Sequence, residues 1–467
     1  MSTGCEIEPG ASSESVLVVS ESCDNIEQMS SSLEEIKNSN SVVSSDENIE
    51  NCNNIDNFED ACSNMNLNAA QDDDYMRNKE WLSKKKHIFV LSSAGKPIYS
   101  RYGNEDKLAT LYGVMQALVS FVQDQNDSIQ SIHAGDTLFV FLFKNHLILV
   151  AVSKSGESVS QLISQLNYVF NQITSVLTLT RLNKIYEQRR NYDLRRLLSG
   201  VERLIDHLLD FSEREPAFIL GGVQCLTLPL SIRDTISSAI VQACNKIKNL
   251  VFAILLANNK LITLVRMKKY CIHPVDLHLI LNLVQASESL KTAESWTPLC
   301  LPRFDASGFL YGHVSYLSED CQAKAAYRRK TATCKLFRGD KSIVEYERRD
   351  LYGCGFPELR HYLYKCKYTA QFYQPSISPP YTLDLSRLLD VYKAAHQMLH
   401  CSSRPLKLIF QRTPKEAILA WDTKGFELYA VLEPLTDTTT AIGIISKLLS
   451  WIKKHEGKLF HLNAPTF

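Results

Sequence analysis

The chain has 467 residues, and its 51 acidic and 51 basic side chains give a formal net charge of zero. That length predicts a few domains at ~100–200 residues each. The longest apolar run, Leu250–Ala257, falls far short of the ~20 residues that span a bilayer, and no signal-peptide pattern opens the chain. Thirteen cysteines, an odd number without a C-x-x-C pair, argue for reduced thiols, so the chain reads as soluble and cytoplasmic.

The charge is unevenly spread. Residues 1–80 hold 18 of the acidic and 3 of the basic residues, a balance of −15 that leaves +15 for the remainder. This end is rich in Ser, Asn and Asp and has Phe58 as its one aromatic before Tyr75. Such a composition cannot bury enough surface to offset its ordering entropy. Residues 1–80 are expected to be a disordered acidic tail, with serines beside acids that suit phosphorylation.

Residues 84–212 read as the first domain. His87–Ser92 is a strand, Ala94-Gly95-Lys96-Pro97 a turn, and Ile98–Ser100 starts a second strand. Leu108, Leu111, Tyr112, Met115, Val119 and Val122 recur at helical spacing. Thr137–Phe143 and His146–Ser153 are strands joined through Lys144-Asn145, the signature of a tight hairpin. Val159 to Leu177 then carries one unbroken helical stripe. In the hairpin Phe139, Phe141 and Phe143 alternate with Leu138, Val140 and Leu142. Both faces are apolar, so both need a cover, and the two flanking helices supply one each. This predicts an α/β/α sandwich on an antiparallel sheet.

The first of those helices has apolar surface to spare. At about 100° per residue, Leu108, Tyr112, Met115 and Val119 share one side, and Thr110, Val114, Ala117 and Phe121 share the other. A helix apolar nearly all round is usually buried on both sides. Either another part of this chain covers the second face, or it docks a second protein, with the sheet edge and a strand following Ser131 as the next candidates.

Leu194, Leu197, Leu198, Val201, Leu204, Ile205 and Leu208 predict one further amphipathic helix, with Arg189, Arg190, Arg195 and Arg196 at its start. A looser stretch around Glu213–Pro216 and Gly221-Gly222 ends the unit. The same order of elements returns in a second domain, 217–345. It has a helix over Ile232–Ile247, a hairpin of Leu250–Ala257 and Leu261–Met267 around Asn258-Asn259, and a helix over Val275–Val284. Strand-like pieces Trp296–Phe304 and Phe309–Leu317 follow, and Ser318-Glu319-Asp320 is expected to cap a basic helix ending at Lys330. Residues 346–467 hold a connector and a third copy. Residues 350–381 read as an irregular connector or an extra strand. After them come a helix with Leu385, Leu388, Leu389, Tyr392, Ala395, His396 and Leu399, strands Lys407–Gln411, Ala417–Trp421 and Phe426–Leu432, and a closing helix from Ile442 to Ile452. The hairpins are unevenly spaced, which favours three similar domains over a solenoid.

Signatures of bond chemistry are missing: no G-x-x-x-x-G-K-[ST], H-E-x-x-H or G-x-S-x-G, and no Cys/His cluster with zinc spacing. Tyr352-Gly353-Cys354-Gly355 is too short to cradle a pyrophosphate, and Arg338-Gly339-Asp340 reads as a turn. His455-Glu456-Gly457 reads as a helix end, and His273 as a surface residue at a helix start. No catalytic residue, metal or cofactor is expected. The basic runs are Lys84-Lys85-Lys86, Arg189/Arg190 with Arg195/Arg196, Lys268-Lys269, and Arg328-Arg329-Lys330 with Lys335, Arg338 and Lys341. They are either solvated faces or a means of attraction to an anionic membrane, at roughly 1 kcal/mol per residue near the surface. Nothing resembles a nucleic-acid reading helix.

Lys85–Phe121 (KKHIFVLSSAGKPIYSRYGNEDKLATLYGVMQALVSF) closely resembles the SAND/MON family of vacuolar-fusion proteins. So do Ile132–Ser158, LNYVFNQITSVLT and NYDLRRLLSGVERLIDHLL, and the resemblance runs through both later repeats but excludes the acidic tail. It implies three longin-like domains. It also implies a subunit that pairs with a CCZ-type longin subunit as a guanine-nucleotide exchange factor. The substrate would be the late-endosomal, Rab-seven class GTPase, activated as early endosomes mature and vacuoles or lysosomes fuse. An early-endosomal Rab, a third scaffold subunit and an anionic or phosphoinositide membrane are the further partners implied, with peripheral recruitment to endosome, lysosome or vacuole. Exchange of this kind makes no bonds, so a missing catalytic constellation is expected. The alternative is a longin-type tether or adaptor that binds a Rab or SNARE without promoting exchange. Thr110, Val114, Ala117 and Phe121 are the candidate partner or GTPase interface. Arg328, Arg329, Lys330, Lys335 and Arg338 are the candidate membrane contacts.

Overall fold

The computed structural model describes residues 16–19, 78–318, 321–324 and 356–466, apart from 248, 288–289, 291–294, 378, 402 and 463. Most of the acidic stretch therefore lies outside the described residues. Two short pieces of it are described. Val16–Val19 (β1) pairs antiparallel with Leu408–Arg412 in the third domain. Lys79–Ser83 (α1) is a short helix whose start is capped by the Asn78 side chain. The indole of Trp81 on α1 donates to the Tyr102 carbonyl at 3.0 Å.

The first sandwich forms as its periodicity demands. Its strands are Lys86–Ser92 (β2), Pro97–Ser100 (β3), Ser131–Ala134 (β4), Thr137–Lys144 (β5) and Leu147–Ser153 (β6). They lie in the order β3-β2-β6-β5-β4, antiparallel throughout. Asn145 turns the hairpin at φ +52°, a left-handed conformation that Asn tolerates better than most residues. Ala109–Asp124 (α2) covers one face, packing Tyr112, Met115 and Val119 on Phe89, Phe141 and Val150. Val159–Leu177 (α3) covers the other, packing Leu162, Leu166, Val169 and Ile173 on Ile88, Val140 and Leu149. A capping box of Ser158 and Gln161 opens α3, satisfying donors that the first turn would leave unpaired.

Beyond α3 the expected single helix over Leu194–Leu208 is several pieces. Leu179–Gln188 (α4) comes first, then Arg195–Leu198 (α5) and Glu202–Arg214 (α6). The break between α5 and α6 falls at Ser199-Gly200, where Gly200 takes φ +86°. That conformation suits glycine and interrupts a helix, although the apolar spacing continues through it. The stretch read as loose is helical to Arg214, and Pro216–Leu220 (α7) is a short helix ended by Gly221 in the left-handed region.

The second sandwich runs β10-β11-β12-β8-β9, formed by Phe252–Ala257 (β8), Lys260–Arg266 (β9), Ser295–Leu301 (β10), Asp305–Ser318 (β11) and Cys321–Lys324 (β12). Leu230–Cys244 (α8) and Pro274–Ala286 (α9) cover its faces. The basic helix expected after Ser318-Glu319-Asp320 does not begin there: Cys321–Lys324 pairs between β11 and β8. Strand pairing outweighs a local capping signal when an open position in a sheet is available. The remainder of that stretch, with Arg328, Arg329, Lys330, Lys335 and Arg338, lies outside the described residues, as do Arg338-Gly339-Asp340 and Tyr352–Cys354.

In the third domain the connector contributes strands. Leu359–Cys366 (β13) and Gln371–Tyr373 (β14) join Leu408–Arg412 (β15), Ala417–Asp422 (β16) and Phe426–Leu432 (β17). Leu385–Leu399 (α10) and Thr438–Leu459 (α11) cover the two faces. His455-Glu456-Gly457 is no helix end, since α11 continues to Leu459. Val223–Gln224 (β7), leaving the first domain, pairs in parallel with β14. The next residue, Cys225, bridges to Leu261 in the second sheet. One short segment thus stitches two domains.

His278 on α9 and His361 on β13 are fully buried, and burial pulls each imidazole from its ordinary 6.5 to about 4. The unfolded chain therefore binds these protons at higher pH than the native one does. Stability from this source is complete above pH 6.5 and is lost as the pH falls toward about 4. Denaturant unfolding across that window should show stability falling with acidification. His278→Gln should make the dependence shallower by about one proton; an unchanged slope would mean that His278 is not a neutral buried imidazole.

Candidate functional site

The second face of α2 is open to solvent. Val114 is 47% and Phe121 66% exposed, and Thr110 and Ala117 are exposed with them. The structure adds Ala109 and Gly113 to the same surface, two small residues that carry no periodicity signal. A Cβ built on Gly113 meets no atom within 4 Å. The result is a flat, uncharged stripe bounded by Asp124 at the helix end. Opposite it, Leu108, Tyr112, Met115 and Val119 are buried on the sheet.

The second domain supplies an internal comparison. Its helix α8 occupies the corresponding place, yet its exposed positions include Ser231, Asp234, Thr235, Ser238 and Gln242. The exposed side of α8 is therefore more polar than that of α2, although Leu230 at its start is 50% exposed. Close by in the same sheet, β4 is an edge strand. Its His133 and Ala134 are exposed while Ile132 packs inward against the α2 core. Backbone groups on the outer side of such an edge are available for pairing with another chain.

The described basic runs divide between buried ion pairs and exposed surface. Lys86 is buried rather than solvated, with its ammonium 2.5 Å from Glu157 and 3.3 Å from Glu213. Arg195 is held by Asp106 at 2.7 Å and Asp193 at 3.1 Å. Arg189, Arg190 and Arg196 instead line a shallow depression of about 510 Å³ with Lys96 and Tyr192. Lys268 and Lys269 are exposed. His273 is the exposed N-cap of α9, its ring accepting from the Val275 amide at 3.2 Å. No helix among the described residues is long and apolar enough to cross a membrane.

Sequence reasoning missed the polar groups that lock the domains together. Tyr168 hydroxyl lies 2.9 Å from His278 Nδ1, and His278 Nε2 lies 2.8 Å from the Gly222 carbonyl. The carbonyl can only accept, so Nε2 carries the proton and Nδ1 receives the tyrosine's. Asn282 donates to Gln172 and to the Leu204 carbonyl, each at 2.9 Å, and meets His207 Nδ1 at 2.7 Å. The one available signal was that His278 and Asn282 interrupt the apolar run Leu277–Val284.

Known proteins match this architecture domain by domain. Residues 86–208 match the first Longin domain of FUZ, MON1 and HPS1, residues 248–341 the second, and residues 358–456 the third. Vacuolar fusion protein MON1 homolog A of Gallus gallus is 43% identical over 407 residues, covering 83% of this chain and 74% of that protein. Protein SAND of Takifugu rubripes is 42% identical, covering 84% and 79%. Vacuolar fusion protein MON1 homolog B of Homo sapiens is 38% identical, covering 84% and 78%. With all three longin domains matched in order and identity of this level across most of its length, the chain belongs to the MON1/SAND family of vacuolar fusion proteins.

Proposed function

We propose that this chain is a subunit of a heteromeric guanine-nucleotide exchange factor for the late-endosomal, Rab-seven class GTPase, paired with a CCZ-type longin subunit. In this reading it drives early-to-late endosome maturation and vacuole or lysosome fusion, and is recruited peripherally to those membranes. The observation that carries the reading is the uncharged, exposed stripe of Thr110, Val114, Ala117 and Phe121 on the domain to which the family resemblance assigns the GTPase. Exchange needs no nucleophile or general base. It needs a surface that binds the nucleotide-free GTPase better than the nucleotide-bound form, and by linkage the same surface weakens nucleotide binding by the same factor. The first domain would meet its longin partner through α2 and the β4 edge, and the pair would hold the GTPase switch segments so that magnesium and phosphate contacts are lost. No catalytic residue or cofactor of this chain enters the reading. An early-endosomal Rab and a third scaffold subunit are further proposed partners.

Two experiments test it. Release of labelled nucleotide is measured from a panel of purified Rabs, with this chain alone and with the CCZ-type subunit. Selective acceleration for the late-endosomal Rab supports the reading. Tight binding without release would support the tether or adaptor instead. In the same assay Phe121→Asp should reduce association and release, because a carboxylate buried at an interface without a partner is desolvated uncompensated. Its effect on stability should stay within about 0.5 kcal/mol, as for other exposed sites. Tyr112→Ala, on the sheet side, should cost ~3–5 kcal/mol as a large aromatic truncation. If Phe121→Asp melts the protein early, the stripe is covered within the chain.

Recruitment to anionic or phosphoinositide-bearing vesicles should weaken as salt rises. Reversal of Arg328, Arg329 and Lys330 to Glu should reduce flotation with such vesicles and leave release in solution unchanged. Undiminished flotation would move the contact to another basic surface, such as the depression at Arg189, Arg190 and Arg196, or to the partner subunit.

A further inference from the structure

The third domain brings together three metal-ligating side chains that no sequence motif announces. His396 lies in the last turn of α10 and His400 is the residue that caps its end, and their rings are 4.4 Å apart between centroids. Glu427 faces them from β17. His400 Nε2 lies 2.9 Å and His396 Nε2 3.8 Å from the same carboxylate oxygen, Glu427 Oε1. One potential ligand atom from each residue falls within 4.8 Å of the others.

Those separations match a known geometry. A zinc-class ion held at ~2.0–2.2 Å by imidazole nitrogen and carboxylate oxygen in a tetrahedral shell places its ligand atoms about 3.3 Å apart. The two measured distances to the carboxylate bracket that value. The surroundings also fit. Glu427 Oε2 faces Lys365 Nζ at 3.3 Å, which leaves Oε1 directed at the histidines. The Tyr429 hydroxyl donates to Oε1 at 2.5 Å, the kind of outer hydrogen bond that orients a ligating carboxylate. The carboxylate is buried, while the side chains of His396 and His400 keep 22% and 36% exposure. An ion can therefore enter from solvent and keep a water as its fourth ligand.

We propose that His396, His400 and Glu427 form a binding site for one zinc-class divalent cation, which cross-links the end of α10 to the central strand β17. Two imidazoles favour zinc, nickel or copper over magnesium and calcium, which prefer all-oxygen shells. The site lies on the third domain, away from the α2 stripe, and it stands or falls independently of the exchange reading.

The test uses the full chain, stripped of metal by chelator and titrated with Zn²⁺ by calorimetry alongside thermal unfolding. The expected result is one saturable site, a rise in melting temperature on loading, and no displacement by Mg²⁺. His396→Ala and His400→Ala should each weaken binding at least about tenfold, the lower end of what even an outer-shell change costs. Unchanged affinity in the double variant would overturn the proposal, as would no binding to the native chain. Because the chain has thirteen cysteines, Co²⁺ absorption of the native protein gives a second reading that needs no variant. Visible tetrahedral bands without a near-ultraviolet thiolate band support imidazole and carboxylate donors. A thiolate band as the sole signature would place the metal on cysteines and overturn the assignment.

Discussion

The structure depends on a seam of buried polar groups between three helices, one of them from another domain. Residues of α3 meet the second domain's α9 through Tyr168 and His278 and through Gln172 and Asn282, while α6 adds His207 and the Leu204 carbonyl. An apolar interface of the same area would be tolerant of sliding, because hydrophobic contact has no direction. Here a shift of one helical residue would strand several donors and acceptors in a dry interior, at about 1–3 kcal/mol for each unsatisfied group. The seam therefore sets the register of the first two domains as well as their adhesion.

A second lock brings in the third domain. Lys86 on β2 and Glu157 just before α3 are both about 5% exposed or less, and Lys393 on α10 reaches the same carboxylate at 3.6 Å. Burial alone would raise the Glu157 carboxyl, but the Lys86 charge and hydrogen bond, with Lys393 beyond, hold it below the usual range. A pair buried this deeply gains little net stability over a well-packed apolar substitute. What it adds is intolerance of any docking that separates the charges. Arg233 works in the same way between the second and third domains, donating from α8 to Ile262 and Leu226 carbonyls and across to Lys458. With α3, α9 and α10 turned inward, α2 is left on the periphery, its outer face exposed among the described residues.

The layers of each sandwich were legible in the residues because they follow local periodicity. The Phe139/Phe141/Phe143 alternation, the α3 stripe and the Asn-turned hairpins are all settled within a few residues of chain. The open face of α2 was legible for the same reason, as a second apolar stripe that one sheet could not use. What could not be read were features decided by distant partners. Lys86 looks like a surface cation until Glu157 and Glu213 are placed around it. The break at Gly200 interrupts no apolar spacing, and β12 was hidden because its place in the sheet is made by β8 and β11 from either side. His396 and His400 are four residues apart at the end of α10, but Glu427 is brought to them only by the fold.

Rigidity is the property that links this architecture to the proposed activity. A protein that acts by differential binding shifts a partner's equilibrium only by the difference between its affinities for the two states. If its own domains rearranged freely, part of the binding free energy would be consumed in ordering them. The buried histidine, asparagine and lysine contacts lower that cost in advance, since each pairs groups from different elements and would be lost if the sandwiches shifted. The shifted groups His278, His361 and Glu157 each have such a pairing role between elements. Their perturbation is explained by what they hold together, which is the usual alternative when a shifted group is not part of a chemical site.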